Sequence, residues 1–95
     1  MEEPRGLPGE EEIGRAILDL LAARAGGGTI SPMDVARLLA GKDPQAWSRL
    51  MPRVRRAAIR LMKEGRVEIR RRGGAVDPDD FRGTYRIGGV EGKVR

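Results

Sequence analysis

At Gly65 the spacing of apolar residues in this 95-residue chain changes from helical to alternating. That switch limits the fold more than any other feature. Upstream, apolar side chains recur every three or four positions, as on one face of a helix. Downstream, Val67 and Ile69 alternate with Glu68 and Arg70, as on a half-buried strand. A chain of this length holds one domain with a single modest core. Helices must therefore pack on a small sheet, in a mainly helical α+β fold.

The punctuation of the chain places the elements. Residues 1–9, with Pro4, Pro8 and two glycines, read as a loose leader. A first helix is expected from Glu10, because Glu10, Glu11 and Glu12 suit a helix N-terminus. Ile13, Ala16, Ile17, Leu20 and Leu21 give it an apolar face, and Gly26-Gly27-Gly28 stops it. Thr29 and Ile30 can form a very short strand. A second helix starts at Ser31-Pro32, with Ser31 as N-cap, Pro32 at the first helical position and Asp34 as capping-box partner. Aspartate is shorter than the usual Glu or Gln, which leaves closure of the box open. Ile30 and Val35 have the spacing of a hydrophobic staple. Val35, Leu38 and Leu39 are expected to face the core, and Gly41 to end the helix. After three residues, Asp43-Pro44 starts a third helix that runs to Glu64, so the pair reads as a helix-turn-helix. Pro52 is expected either to kink this helix or to divide it. A strand around Val67–Ile69, a loop beginning at Gly73-Gly74, an Asp77-Pro78-Asp79-Asp80 turn and a returning strand from Thr84 to Ile87 complete the order. That order is a winged helix-turn-helix, three helices with a wing of two to three strands, over residues 10–88. Residues 89–95 read as a frayed tail.

The third helix carries the functional signal. At about 100° per residue, Trp47, Leu50, Met51, Val54, Ala57, Ala58, Leu61 and Met62 share one broad side. Arg49, Arg53, Arg56, Arg60 and Lys63 form a narrow stripe opposite, joined by Gln45, and residues 44–63 contain no acidic side chain. Like charges at such spacing destabilise a helix by roughly 0.2–0.5 kcal/mol per pair. Two causes compete: a solvated face written in an arginine-rich genome, or a polyanionic partner. The first helix, from the same genome, mixes Glu11, Glu12, Arg15, Asp19 and Arg24, which favours a partner. The chain-wide balance agrees. Residues 1–34 hold three basic and seven acidic side chains, and residues 35–95 hold sixteen and seven.

On double-stranded DNA, such a helix would enter the major groove by its N-terminal part. Gln45 and Arg49 then suit base edges, with Ser48 assisting, and Arg53, Arg56 and Arg60 suit phosphates. Arg55 points elsewhere and is expected to serve the fold, and Trp47 to anchor the core. Arg70, Arg71, Arg72 and Arg82, with Arg86, would give the wing further phosphate contacts. The rival reading is that these charges discourage edge pairing of a short hairpin. The acidic turn at 77–80 opposes a phosphate at the wing tip, and it lacks the spaced ligands of a calcium loop.

Other classes are constrained by what is missing. The chain has no Cys and no His, and Ser31 is committed to a cap, so no nucleophile and base assemble into an enzyme. No cofactor is expected, and Gly26-Gly27-Gly28 lacks the lysine of a phosphate loop. The N-terminus lacks the apolar run of a signal peptide, and no stretch approaches the roughly 20 apolar residues of a membrane span, so a cytoplasmic location is expected. Trp47, Phe81 and Tyr85 are the whole aromatic supply, and two of them are expected in the core, which disfavours RNA.

The motifs T-I-S-P-x-x-V-A-R at 29–37, W-x-x-L-M-P-x-V-R-x-A-A at 47–58, E-G-R-V-E-I at 64–69, V-D-P at 76–78 and G-T-Y-R-I at 83–87 together resemble a small bacterial winged-helix family, catalogued only as a domain of unknown function. The resemblance covers about residues 10–88. It implies the winged-helix fold, and carries over no catalytic or ligand-binding residues. Ser48 stands where relatives carry a basic residue, and Gly83-Thr84 where they carry Gly-Pro. The expected function is a double-stranded DNA-binding module, with transcriptional regulation as its candidate role. The alternative is a protein-interaction module, because winged helices host many roles and no dimerisation helix is evident. A protein partner or a homodimer would then supply what a lone domain lacks.

Overall fold

The computed structural model describes residues 8–24 and 28–90. Glu10–Ala23 forms α1, Pro32–Ala40 α2 and Pro44–Lys63 α3, followed by β1 at Glu68–Arg71, β2 at Gly74–Ala75 and β3 at Arg86–Gly88. The strands make one antiparallel sheet in the order β2-β1-β3. Ile30 adds a single bridge on the free side of β3, where Ile30 and Ile87 exchange N–H···O bonds of 2.9 Å. Three helices and this sheet give the mainly helical α+β layout of a winged helix. Most of the expected leader and tail, and Gly26-Gly27 of the expected helix stop, lie outside the described residues.

The start and stop signals act as local chemistry. The capping box at α2 is closed despite its short acid: Asp34 N–H donates to Ser31 Oγ at 3.1 Å, and Ser31 N–H to Asp34 Oδ2 at 2.9 Å. Ile30 and Val35, the staple pair, are both buried. Asp43 Oδ1 accepts from Gln45 N–H at the start of α3. Trp47 fixes the turn between α2 and α3, its Nε1 donating to Gly41 O at 2.7 Å while the Arg37 guanidinium lies 5.4 Å from the ring centre. At the far end, Gly65 N–H donates to Met62 O and Arg66 N–H to Leu61 O, with Gly65 at φ 77°. This is the Schellman closure that glycine permits, and it turns the chain directly into β1.

The core joins all layers. Ile13, Ala16 and Ile17 of α1, Val35 and Ala36 of α2, and Leu50, Val54, Ala57, Ala58 and Leu61 of α3 are buried with Val67, Ile69, Phe81, Tyr85 and Ile87. Leu20, Leu21 and Trp47 pack at its margin.

Three expectations are corrected, and one of the two outcomes left open at Pro52 is ruled out. Leu38 does not face the core: it is 56% exposed, because α2 turns Val35 and the small Ala36 inward instead. Pro52 does not divide the helix, and α3 runs through it without interruption. The ring sits on the solvent side, where water can satisfy the Ser48 carbonyl that loses its donor. Gly73-Gly74 does not open a long loop. Arg71 pairs with Gly74, so the connection is Arg72-Gly73 alone, at φ 55° and 85°. Two successive positive φ values are the hairpin geometry that matches strand twist. The return strand is also displaced to Arg86–Gly88, since Thr84 O accepts from Arg71 Nε instead of a strand N–H.

Two measurements test this packing. Gly14 is buried in α1, and an added Cβ would meet Leu61 Cδ1 at 3.8 Å, an ordinary contact. Gly14→Ala is therefore expected to stabilise the fold by about 0.5–1 kcal/mol, read as a higher urea midpoint with unchanged slope. Tyr85 packs edge-to-face on Phe81, with centroids 5.4 Å apart. Its buried hydroxyl has no hydrogen-bond partner among the described residues, and burial pushes the phenol up from 10.0 to about 12, against the opposing charge of Arg55. The folded state thus holds the proton more tightly than the unfolded one. Stability is complete below pH 10 and declines as pH rises toward 12. Phenolate absorbance, which reports the chain's one tyrosine, should show the late midpoint. Tyr85→Phe should flatten the alkaline fall in urea midpoint.

Candidate nucleic-acid interface

α3 presents its cations in two groups. Toward its C-terminal end the charges are engaged within the chain. Arg60 Nη1 lies 3.2 Å from Glu10 and its Nε 3.4 Å from Glu64, while Lys63 lies 2.8 Å from Asp79. Arg53 is half-buried and donates to Pro8 O at 3.3 Å. Toward the N-terminal end, Gln45 and Arg49 are exposed, and one turn past Pro52 so is Arg56. Among the described residues, Arg49 and Arg56 form no ion pair. By helical spacing Gln45, Arg49 and Arg56 lie within about 40° of one another, with Arg49 and Arg56 about 10 Å apart along the axis. Exposed pairs such as Arg60–Glu10 contribute about 0–1 kcal/mol and weaken with salt, so a polyanion can displace them.

The wing residues expected to meet phosphate are distributed differently. Arg70 is half-buried, its Nε 3.0 Å from Glu68 and its Nη2 donating to Gly89 O. Arg71 donates to Thr84 O at 2.7 Å, and Arg86 to Thr29 Oγ1 at 2.7 Å and Thr29 O at 3.2 Å. Arg72 occupies the hairpin turn and is exposed, as is Arg82. The sheet therefore separates Arg70 and Arg71 onto opposite faces, and α3 sends Arg53 and Arg60 toward the start of α1. Arg53 and Arg60 therefore do not join the wing arginines in a single patch.

The acidic turn is not at the wing tip. Asp79 N–H donates to Asp77 Oδ1 and Asp80 N–H to Asp77 O, and the Lys63–Asp79 pair draws this turn against the end of α3. Arg55 secures the same loop: its Nη2 donates to Phe81 O at 2.8 Å and its guanidinium stacks 3.9 Å from the Phe81 ring centre. The wing tip is Arg72-Gly73, a basic hairpin.

Sequence reasoning missed a cleft of about 690 Å³ between the start of α2, the middle of α3 and the sheet. Pro32, Met33, Met51 and Tyr85 line it together with Arg70, Arg71, Arg72 and Arg86. Met33 and Met51 look like ordinary core-edge residues in the sequence, and only the fold brings them beside the strand arginines.

With this geometry in view, the chain belongs to a family whose model matches residues 10–90 and is described as a protein of unknown function (DUF3253). No curated protein sequence matches the chain significantly. No group of His, Cys, Asp or Glu side chains able to hold a metal occurs among the described residues. No helix among them is long and apolar enough to cross a membrane.

The clamp on the acidic loop gives the next expectation. Arg55→Ala removes one carbonyl hydrogen bond and one stacked cation, and should cost about 1–3 kcal/mol. Amide exchange in residues 77–84 should accelerate ahead of exchange in α1, a difference that hydrogen-exchange mass spectrometry resolves.

Proposed function

We propose that the chain is a double-stranded DNA-binding winged-helix module that docks through the outward face of α3. The observation that carries this reading is the divided stripe. In a helix without any acidic residue from 44 to 63, Gln45, Arg49 and Arg56 project together and meet no carboxylate among the described residues. Gln45 and Arg49 suit base edges in the major groove, and Arg56 a phosphate. Arg72 and Arg82 extend the positive surface onto the wing. Arg53, Arg60 and Lys63 come second, since each already has an internal partner. On this reading the protein works in the bacterial cytoplasm, as a regulator or as part of a larger DNA-bound assembly, with neither cofactor nor catalysis. The alternative, a protein-interaction module, draws on Leu38, a large apolar side chain left exposed on α2 beside Leu20 and Ile30.

Fluorescence anisotropy of a labelled duplex, titrated at several salt concentrations, tests the proposal. Contact with about five phosphates gives a slope of log affinity on log salt near −4 to −5. Arg56→Ala should flatten that slope by about one, Arg49→Ala should cost about 1–3 kcal/mol of affinity, and Arg60→Ala should change the slope by less than Arg56→Ala. Thermal melts confirm that the variants fold. Weak binding at low salt, or binding insensitive to both Arg49 and Arg56, would sink the proposal and turn attention to the Leu38 face.

A further inference from the structure

Of the cleft between α2, α3 and the sheet, the DNA reading uses only Arg72. Its volume of about 690 Å³ lies within the roughly 300–1,000 Å³ of small-molecule sites. That is far more space than a bare phosphate or chloride needs. Pro32, Met33 and Met51 supply an apolar lining that adapts to irregular shapes, as methionine does.

The arginines of the lining are incompletely neutralised. Arg70 has a carboxylate partner in Glu68, but Arg71 and Arg86 spend their described hydrogen bonds on neutral acceptors, Thr84 O and the two oxygens of Thr29. Arg72 has no ion pair among the described residues. These bonds to neutral oxygens hold the guanidinium groups in place without cancelling their charge. Gly83 contributes space for this: a Cβ there would lie 3.0 Å from Arg71 Nη2. No carboxylate-bearing residue lines the cleft. Tyr85 lines it too, and carries the one buried side-chain polar atom among the described residues that lacks a hydrogen-bond partner.

From this combination we infer that the cleft is a binding site for a small amphipathic anion, an apolar body bearing a single carboxylate. The apolar body rests on Met33 and Met51, and the carboxylate meets the planar donors of Arg71 and the neighbouring Arg72, which match its two oxygens. The site stands on the cleft alone and does not depend on DNA binding.

The test uses the full chain without DNA. Isothermal titration with 2-naphthoate and with octanoate should give saturable binding at one site. The uncharged 2-naphthamide and inorganic phosphate, which each keep half of the required chemistry, should bind at least about tenfold more weakly, a difference of about 1.4 kcal/mol. Arg71→Gln with Arg72→Gln should weaken naphthoate about tenfold or more while leaving the thermal midpoint within a few degrees. Chemical-shift changes in the methionine methyl groups should identify Met33 and Met51 as the contacts. If neither carboxylate saturates, if 2-naphthamide matches naphthoate, or if the paired variant binds unchanged, the inference fails. Loss of fold in the paired variant shifts the decision to the methionine methyl groups: shifts confined to Met33 and Met51 support the site, and shifts elsewhere refute it.

Discussion

Every layer of this structure is anchored to the buried side of α3. Leu50, Val54 and Ala58 are fully enclosed, and Ala57 and Leu61 nearly so. The residues that enclose them come from α1, α2 and the sheet. Two of these five are alanines, so neighbouring backbones can come close to the helix while larger side chains fill the spaces around them. Burial of a Leu or Val side chain contributes about 1.5–3 kcal/mol, so these few positions account for much of what a small domain can gather. With one side of α3 consumed in this way, the other has no choice but to face outward with whatever charges it carries.

The charge arrangement follows from that constraint. An amphipathic helix with only basic residues on its polar side repels itself, and the fold relieves part of the repulsion by bringing Glu10, Glu64 and Asp79 to its C-terminal half. Among the described residues, no carboxylate pairs with Arg49 or Arg56. The acidic turn that seems to spoil a basic wing is instead folded back beside Lys63, held there by Phe81 under Arg55. The two acidic segments of the chain thus serve the same end of the same helix, and they leave its other end and the Arg72 hairpin positively charged.

Most of the fold was legible in the residues because its boundaries are written in strong local chemistry. Ser31-Pro32, Gly41, Asp43-Pro44 and Gly65 each act where they stand in the sequence, and the change of period after Gly65 marks the sheet. What was not legible depended on partners distant in sequence. Ala36 is too small to announce itself as a core residue beside Leu38, and only the seating of α2 decides between them. Arg72 is an unusual residue at positive φ, where Asn or Asp ahead of glycine is the common signal, so the tight hairpin was hidden. The basic stripe of α3 was visible, but its division was not, since that rests on contacts 16 to 50 residues apart. The cleft left no trace in the sequence at all: methionines from two helices and arginines from two strands have no shared spacing.

Pro52 carries a consequence for how α3 is held together. It has no N–H to offer the Ser48 carbonyl, so the ladder of the helix lacks one rung near its middle, on the side facing water. The turns before it are bound to α2 through Trp47 and Gly41, and the turns after it to α1 and the acidic loop. The leading turns of α3 are therefore joined to the rest of the helix by one backbone hydrogen bond fewer than an unbroken ladder gives, and the burial of Leu50 on the opposite side holds them in the core.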